Sequence, residues 1–151
     1  IGDVDEVISS PLLRARETAS FFGRDVVIDE AWIELAYGEY EGVPAGEVPP
    51  EVWQSWKTNA MYATKGGESF GVLDARVRAA CEGLADRIHT RNVVVVSHVS
   101  PIKAAVGWAL NTSMDIMFHC HLGQASLCRV DMGRFGPLLH TFNEQATVGP
   151  Y

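Results

Sequence analysis

The sequence is poor in cysteine, in long apolar runs and in positive charge. Its three cysteines, Cys81, Cys120 and Cys128, follow no framework spacing, which argues against a disulfide-stabilised secreted protein and favours a reduced, cytoplasmic one. Twelve Lys and Arg against nineteen Asp and Glu give a net charge of −7, which argues against nonspecific nucleic-acid binding. No apolar stretch approaches the roughly eighteen residues that a membrane span requires. We therefore expect neither nucleic acid nor membrane as a partner.

The first residues carry no sign of a signal peptide, because Asp3 and Asp5 stand where such a peptide would be basic. A chain that opens on Ile1 instead of Met is either trimmed or a piece of a longer protein. Apolar residues make up 47% of the 151, which is enough for a sizeable core. At roughly 100–200 residues per domain, we predict a single domain over residues 1–151.

Strand-like and helix-like segments alternate along the chain. Apolar patterns and caps predict strands at 4–9, 25–28, 92–97, 119–130 and 136–142, and helices at 11–22, 49–59, 69–90 and 100–110. The valine-rich run at 92–97 is typical of a central parallel strand that is buried on both faces. This alternation predicts an α/β fold, a three-layer α/β/α sandwich with a mainly parallel central sheet.

Two junctions, at 7–11 (VISSP) and 95–101 (VVSHVSP), run directly from a strand into a helix. Ligands in open α/β sheets bind at the carboxyl ends of strands, and helix N-termini favour anions. Arg14 lies one turn into the first helix and His98 ends the second strand, so together they would form a phosphate or carboxylate pocket. Taken alone, an arginine such as Arg14 is more often a solvated helix residue, and a histidine such as His98 is more often structural than catalytic. The coincidence of the two junctions weakens these interpretations, although spacing alone does not decide between them.

The loop at 33–42 holds three glutamates, Glu34, Glu39 and Glu41. A carboxyl group beside a phosphate site can act as a general acid. The alternative interpretation is a solvated loop in an acidic protein. Spacing alone leaves both interpretations open.

Two further groups of residues have ordinary structural interpretations. His119 and His121 would share a face of the predicted strand, but a zinc site needs more ligands, so strand packing is favoured and no metal site is predicted. Trp53 and Trp56 would either roof a substrate pocket or pack a cap segment.

Four elements, in this order, resemble those of the histidine phosphatase superfamily, the phosphoglycerate-mutase-like proteins. Residues 9–19 (SSPLLRARETA) resemble that family's SSPLxRAxxTA element, and residues 94–98 (VVVSH) its second catalytic histidine strand. Glu34 with residues 38–42 (GEYEG) resembles E…GxWEG, with Tyr40 in place of the usual Trp. Residues 67–69 (GES) are similar to the GGES turn before a long helix.

Residues 99–103 (VSPIK) and 142–144 (FNE) are most similar to the small phosphatases of the α-ribazole phosphatase type. They also resemble the acid phosphatase half of bifunctional ribonuclease H/acid phosphatases. The resemblance implies a phosphate pocket in which Arg14 and the backbone N–H of Val99 bind phosphoryl oxygens. It implies that Glu34 is the proton donor to the leaving alcohol and that His98 contacts the phosphoryl group. No metal or organic cofactor is implied.

The chain departs from the family in one respect, because the Arg-His-Gly element that carries the nucleophilic histidine occurs nowhere in it. In the family this element lies on a first strand upstream of the element at 9–19. His89, His119, His121 and His140 are not obvious substitutes. Three explanations are open: a segment missing from the sequence, a fragment, or a nonenzymatic remnant. We expect the first, with a domain that is incomplete at its N-terminus.

By resemblance, the protein is expected to be a phosphomonoesterase that hydrolyses a small phosphorylated substrate through a phosphohistidine intermediate. Phosphoglycerate-mutase-type phosphoryl transfer is one alternative, although the span between Glu34 and Gly66 is short for a mutase's additional substrate-gripping segment. A catalytically inactive phosphate-binding or partner-binding module is the other. Homodimerisation through an exposed sheet edge also remains open.

Overall fold

The computed structural model describes residues 2–113 and 115–145, so residues 1, 114 and 146–151 of the predicted domain lie outside the described residues. Five strands are present: β1 Glu6–Ser9, β2 Val26–Ile28, β3 Val93–Val96, β4 Ser126–Gly133 and β5 Gly136–Gln145. Five α-helices accompany them: α1 Leu13–Ser20, α2 Pro50–Thr58, α3 Phe70–Ala85, α4 Val99–Ala109 and α5 Ile116–His119.

The main sheet is parallel and has the strand order β2-β1-β3. Val7 of β1 stands opposite Val26 of β2 and Val94 of β3, so β1 is paired along both edges. The carboxyl ends of β1 and β3 therefore meet at one edge of the sheet, and a helix follows each of them. This arrangement confirms the predicted α/β fold class.

Apolar side chains cover both faces of this sheet. Val7 and Val94 point to the face that packs Ala19 of α1. Ile8 and Val95, one residue further along their strands, belong to the larger core on the opposite face. That core includes fully buried residues of α3 and α4, among them Leu73, Val77 and Ala104. Alternate residues of β1 and β3 thus build two separate apolar layers, as strand geometry requires.

Polar contacts join β1 and β3 at the end where both strands begin. The Asp5 N–H donates to the Asn92 carbonyl at 2.9 Å, and the Asn92 N–H donates to the Asp5 carboxylate at 2.9 Å. The Asn92 side-chain amide donates to the Asp3 carbonyl at 2.9 Å. These three bonds connect the residues that precede each strand.

Two predicted helices are shorter in the structure. Helix α1 begins at Leu13 with Leu12 as its N-cap, so the prediction of a helix start at Pro11 capped by Ser10 is wrong. Ser10 instead faces His98, as described below. Helix α3 begins as predicted, with the Ser69 hydroxyl accepting from the Val72 N–H, but ends at Ala85 where residue 90 was predicted. A 3₁₀ turn follows it, and Ile88 in that turn packs on the core.

The remaining strands form a separate antiparallel hairpin, β4–β5. The predicted strand at 119–130 begins only at Ser126, because the chain before it turns as the short helix α5. His119 ends that helix and His121 lies outside any strand, so the predicted shared strand face for these two histidines is wrong. No cluster of three or more His, Cys, Asp or Glu able to hold a metal ion occurs within the described residues.

A cavity of about 990 Å³ lies between strand β4 and the edge of β3 that faces away from β1. Val93, Val94 and Val95 line one side of it, and residues 127–131 line the other. Trp32 also lines it, and its buried Nε1 has no hydrogen-bond partner among the described residues. We call this cavity the inter-sheet slot. None of the described helices is long and apolar enough to cross a membrane.

Candidate active site

The parallel pairing of β1 and β3 brings the two predicted strand–helix junctions together. The Ser10 N–H donates to the Val96 carbonyl at 2.9 Å, which extends the β1–β3 pairing to the last residue before each junction. Helix α1 then begins at Leu13 and helix α4 at Val99. The first turns of both helices present N–H groups at the same edge, where an anion is favoured.

His98 and Arg14, which are 84 residues apart in the sequence, are in direct contact at this edge. The Arg14 Nε–H donates to His98 Nδ1 at 3.2 Å, and His98 Nε2 lies 2.7 Å from the Ser10 hydroxyl. His98 and Ser10 are buried, whereas Arg14 is exposed overall and can turn toward a ligand. The cluster therefore combines one accessible guanidinium with one enclosed imidazole.

The imidazole of His98 is neutral near pH 7. Burial, and after it the positive charge of Arg14, lowers its pKa from 6.5 to about 4. A phosphoryl dianion bound beside Arg14 would offset the guanidinium charge and favour the protonated imidazole. The site can thus change the charge of His98 when an anion enters.

Glu34 approaches the same edge from the loop that precedes α2. Its Oε1 accepts from its neighbour, the Leu35 N–H, at 2.8 Å and from the Ser100 N–H in the first turn of α4 at 3.2 Å. The Tyr37 hydroxyl lies 3.3 Å from Ser100 Oγ. Burial, together with the nearby Glu34 carboxylate, raises the pKa of that hydroxyl. A carboxylate therefore stands beside the helix N-terminus that follows His98.

The Glu34 loop is fastened to the turn that precedes α3. The Glu68 N–H donates to the Ala36 carbonyl at 2.8 Å, and the Thr64 hydroxyl donates to the Tyr37 carbonyl at 2.7 Å. Gly38 sits between the two segments with φ +59°. These bonds hold the loop, and with it Glu34, against the body of the molecule.

The other two glutamates of the loop, Glu39 and Glu41, stabilise it by accepting hydrogen bonds from backbone N–H groups. Glu39 Oε1 accepts from the Lys65 N–H at 3.4 Å, and Glu41 Oε2 accepts from the Tyr37 N–H at 3.2 Å. Neither glutamate has a hydrogen bond or ion pair with Arg14 or His98 among the described residues. The solvated-loop alternative therefore describes Glu39 and Glu41 only in part, since both also stabilise the loop.

The remaining candidates from the sequence are Val99 and the two tryptophans of α2. Val99 is the first residue of α4, its side chain is exposed, and its N–H belongs to the first helical turn. Trp56 is 2% exposed and packs edge-on against Tyr37 in the core, so it is a packing residue. Trp53 is partly buried and packs on Trp56.

Sequence reasoning missed two residues at this site. Ser10 contacts His98 directly, and the serine pair before Pro11 could have drawn attention to it. Lys103 lies one turn along α4 from Ser100 and donates to the Met117 carbonyl at 2.9 Å. Burial lowers its pKa, while the neighbouring Cys120 and Glu34 act in the opposite direction. In the sequence, the spacing of three residues between Ser100 and Lys103 was the signal that both lie on the same side of a helix.

Comparison with known proteins identifies the family of this chain. A family model described as "Histidine phosphatase superfamily (branch 1)" matches residues 2–145. A bifunctional protein of Mycobacterium tuberculosis is 36% identical over 133 residues, which cover 83% of this chain and 36% of that protein. The chain thus spans about a third of the length of this relative. The adenosylcobalamin/α-ribazole phosphatase of Escherichia coli is 24% identical over 150 residues, 94% of this chain and 74% of that one.

The fold is also that of a solved phosphatase. The crystal structure of phosphoserine phosphatase from Entamoeba histolytica in complex with 3-phosphoglyceric acid superposes with a TM-score of 0.83 at 23% identity. The match covers 95% of this chain and 76% of that one.

Proposed function

The chain belongs to the histidine phosphatase superfamily, and from this premise we propose that it is a phosphomonoesterase acting on a small phosphate ester. The observation that supports this most directly is the contact of Arg14 with His98 beside the first turn of α4. A guanidinium, a neutral imidazole and free helix N–H groups suit a phosphoryl dianion. The three free cysteines of the chain suit a reducing, cytoplasmic location.

In this proposal each site residue has one role. Arg14 binds two phosphoryl oxygens through its planar fork, and the Val99 N–H adds a donor at the helix N-terminus. His98 donates to a third oxygen once the anion has raised its proton affinity, and it stabilises the charge that develops during transfer. Glu34, held by the Ser100 N–H, donates a proton to the leaving alcohol.

The nucleophile in this proposal is a histidine on a strand that fills the inter-sheet slot and lies outside the 151 residues. A strand placed there parallel to β3 would end beside Ser97 and His98. The volume of the slot, about 990 Å³, and the edge of β3 that pairs with no strand among the described residues support such an occupant. The histidine nitrogen attacks phosphorus and the P–O bond to the alcohol breaks. Water then attacks phosphorus and loses a proton to Glu34, the P–N bond breaks, and phosphate and the free histidine are released.

The test measures p-nitrophenyl phosphate hydrolysis and inorganic phosphate binding on the protein purified together with the strand that carries the nucleophile, in the parent and in Arg14→Ala and His98→Ala. Arg16→Ala is the matched control, because Arg16 is an exposed arginine on the same helix without a contact to His98. We expect Arg14→Ala to weaken phosphate binding by about 2 kcal/mol, the cost of a charge-assisted hydrogen bond, and to abolish turnover.

The outcomes separate the alternatives. Turnover that is lost in both site variants and retained in Arg16→Ala supports a phosphatase. Phosphate binding without turnover in that protein supports an inactive phosphate-binding module, because the strand with the proposed nucleophile is then present. Turnover that survives both site substitutions contradicts the assignment of Arg14 and His98.

A further inference from the structure

The surroundings of His98 define which of its nitrogens carries the proton. Nδ1 accepts a hydrogen bond from the Arg14 Nε–H at 3.2 Å. Because a guanidinium can only donate, Nδ1 must present its lone pair. A neutral imidazole has one N–H, so that hydrogen is on Nε2, which points at the Ser10 hydroxyl 2.7 Å away.

The Ser10 hydroxyl is built to accept this hydrogen. Ser10 is fully buried at the end of β1, and its backbone N–H is bonded to Val96 of the neighbouring strand. Its Oγ also accepts from the Leu12 N–H at 3.3 Å, which restricts the side-chain rotamer. The oxygen is therefore fixed in place before any ligand arrives.

From this geometry we propose that Ser10 is a positioning residue, which holds His98 in the Nε2–H tautomer with Nδ1 facing Arg14 and the anion. The inference rests on the proposed function and adds a residue to it. When His98 takes up a second proton, Ser10 continues to accept from Nε2, so the new proton sits on Nδ1. Nδ1 is the nitrogen that would then donate to a phosphoryl oxygen beside Arg14.

Ser9 provides a matched control for this proposal. It precedes Ser10 in the chain and is equally buried, at 0% exposure. Its hydroxyl donates to the Ser10 carbonyl at 2.9 Å and has no contact with His98. Ser9→Ala and Ser10→Ala therefore remove the same atom from the same strand, and only the second removes the partner of the imidazole.

The test uses the ring-nitrogen chemical shifts of His98 on the full chain, measured by NMR at neutral pH. In the parent protein we expect a protonated Nε2 and an unprotonated Nδ1. The Arg14 side chain is exposed and its bond to Nδ1 is 3.2 Å long, so we expect Arg14 alone to hold the tautomer only in part, and Ser10→Ala should give a mixture of tautomers. Ser9→Ala should keep the parent pattern. Ser10→Cys, which retains a weaker acceptor of similar size, should lie between them.

Inorganic phosphate binding supplies a second measurement on the same variants. Outer-shell partners of metal-binding histidines contribute about ten- to hundredfold to metal affinity or activity. By analogy, we expect Ser10→Ala to weaken phosphate binding by roughly tenfold, and Ser9→Ala by much less. Equal effects of the two serine variants, or an unchanged Nε2–H tautomer in Ser10→Ala, would overturn the proposal. The tautomer is measured without turnover, so this test of Ser10 does not depend on whether the phosphatase function is confirmed.

Discussion

His98 changes its proton affinity more than most side chains when this chain folds. In the unfolded chain its pKa is near 6.5, and in the folded protein burial and Arg14 lower it to about 4. Between these values the unfolded state binds more protons. The free energy of unfolding therefore falls as the pH drops from about 7 toward 4, and His98 contributes to that fall.

The corresponding prediction compares the pH dependence of urea unfolding between pH 7 and pH 5 in the parent and in His98→Gln. We expect a shallower loss of stability in His98→Gln, because this variant has no imidazole to protonate. His140→Gln is the comparison variant, because it removes an exposed imidazole of β5 that has no contact with Arg14 or His98. Parallel slopes for the parent and His98→Gln would show that the imidazole is not protected from protonation.

A second prediction at this scale concerns the proton that His98 takes up with an anion. Sulfate is a suitable probe because it stays fully ionised, so any proton taken up on binding goes to the protein. Calorimetry at pH 6 in buffers of different ionisation enthalpy should show a net uptake that approaches one proton per sulfate bound. His98→Gln should show almost none. Zero uptake by the parent would mean that the anion does not reach His98.

At the scale of elements, the Glu34 loop depends on its close contact with the turn at 64–67. Gly38 has a positive φ, and a Cβ added there would lie 2.6 Å from the Gly67 nitrogen. Gly42 also has a positive φ, +75°, but a Cβ there meets nothing within 4 Å. The two glycines share the backbone requirement and differ in the space around them.

Alanine substitution of these two glycines separates the effects. Gly42→Ala should cost about 1 kcal/mol of stability, the ordinary penalty for a left-handed residue. Gly38→Ala should lower the stability by more than this and displace Glu34. Because Glu34 is the proposed proton donor, we expect kcat to change more than KM. Thermal unfolding and steady-state kinetics measure both. Similar results for the two variants would show that the contact with the turn does not hold the loop.

Local sequence signals predicted the elements that have local causes. Helix α4, helix α2 and strand β3 lie within a residue or two of their predicted bounds, because Pro50, Pro101 and the valine run act on their own neighbours. The end of α3 and the start of β4 were not predictable in this way. They depend on Ile88 packing into the core and on the turn at α5, which periodicity does not contain.

The site follows the same division. Arg14, Glu34 and His98 were identified from their junctions and from the family resemblance. The contact of Ser10 with His98 could not be, since it joins residues 88 positions apart through the pairing of β1 with β3. A helix N-cap was the local expectation for Ser10, and the tertiary contact prevailed over it.

The whole molecule consists of two sheets with the inter-sheet slot between them. Strand β1 is paired on both edges and buried, whereas β4 and β5 pair only with each other among the described residues. An isolated two-stranded hairpin is marginally stable, so the packing of this one on α4 must supply part of its stability.

Hydrogen exchange of the 151-residue chain should therefore proceed unevenly. We expect the amides of β1 to exchange slowest and those of β4 and β5 to exchange faster, through openings that leave the main sheet intact. Mass spectrometry of peptic fragments would measure the difference. Equal protection of β1 and the hairpin would show that both sheets open as one cooperative unit.

The side chains of β3 do not by themselves determine the register of this strand against β1. Four consecutive valines look the same after a slip of two residues, which would shift one strand by about 7 Å along the other and keep every side chain on its face. Valine packing thus cannot distinguish the correct register from that neighbour. The Asp5–Asn92 bonds oppose the slip that would place Val7 beside Asn92, because Val7 has no carboxylate to accept from the Asn92 N–H. The register that these bonds favour is the one in which Ser10 lies beside His98.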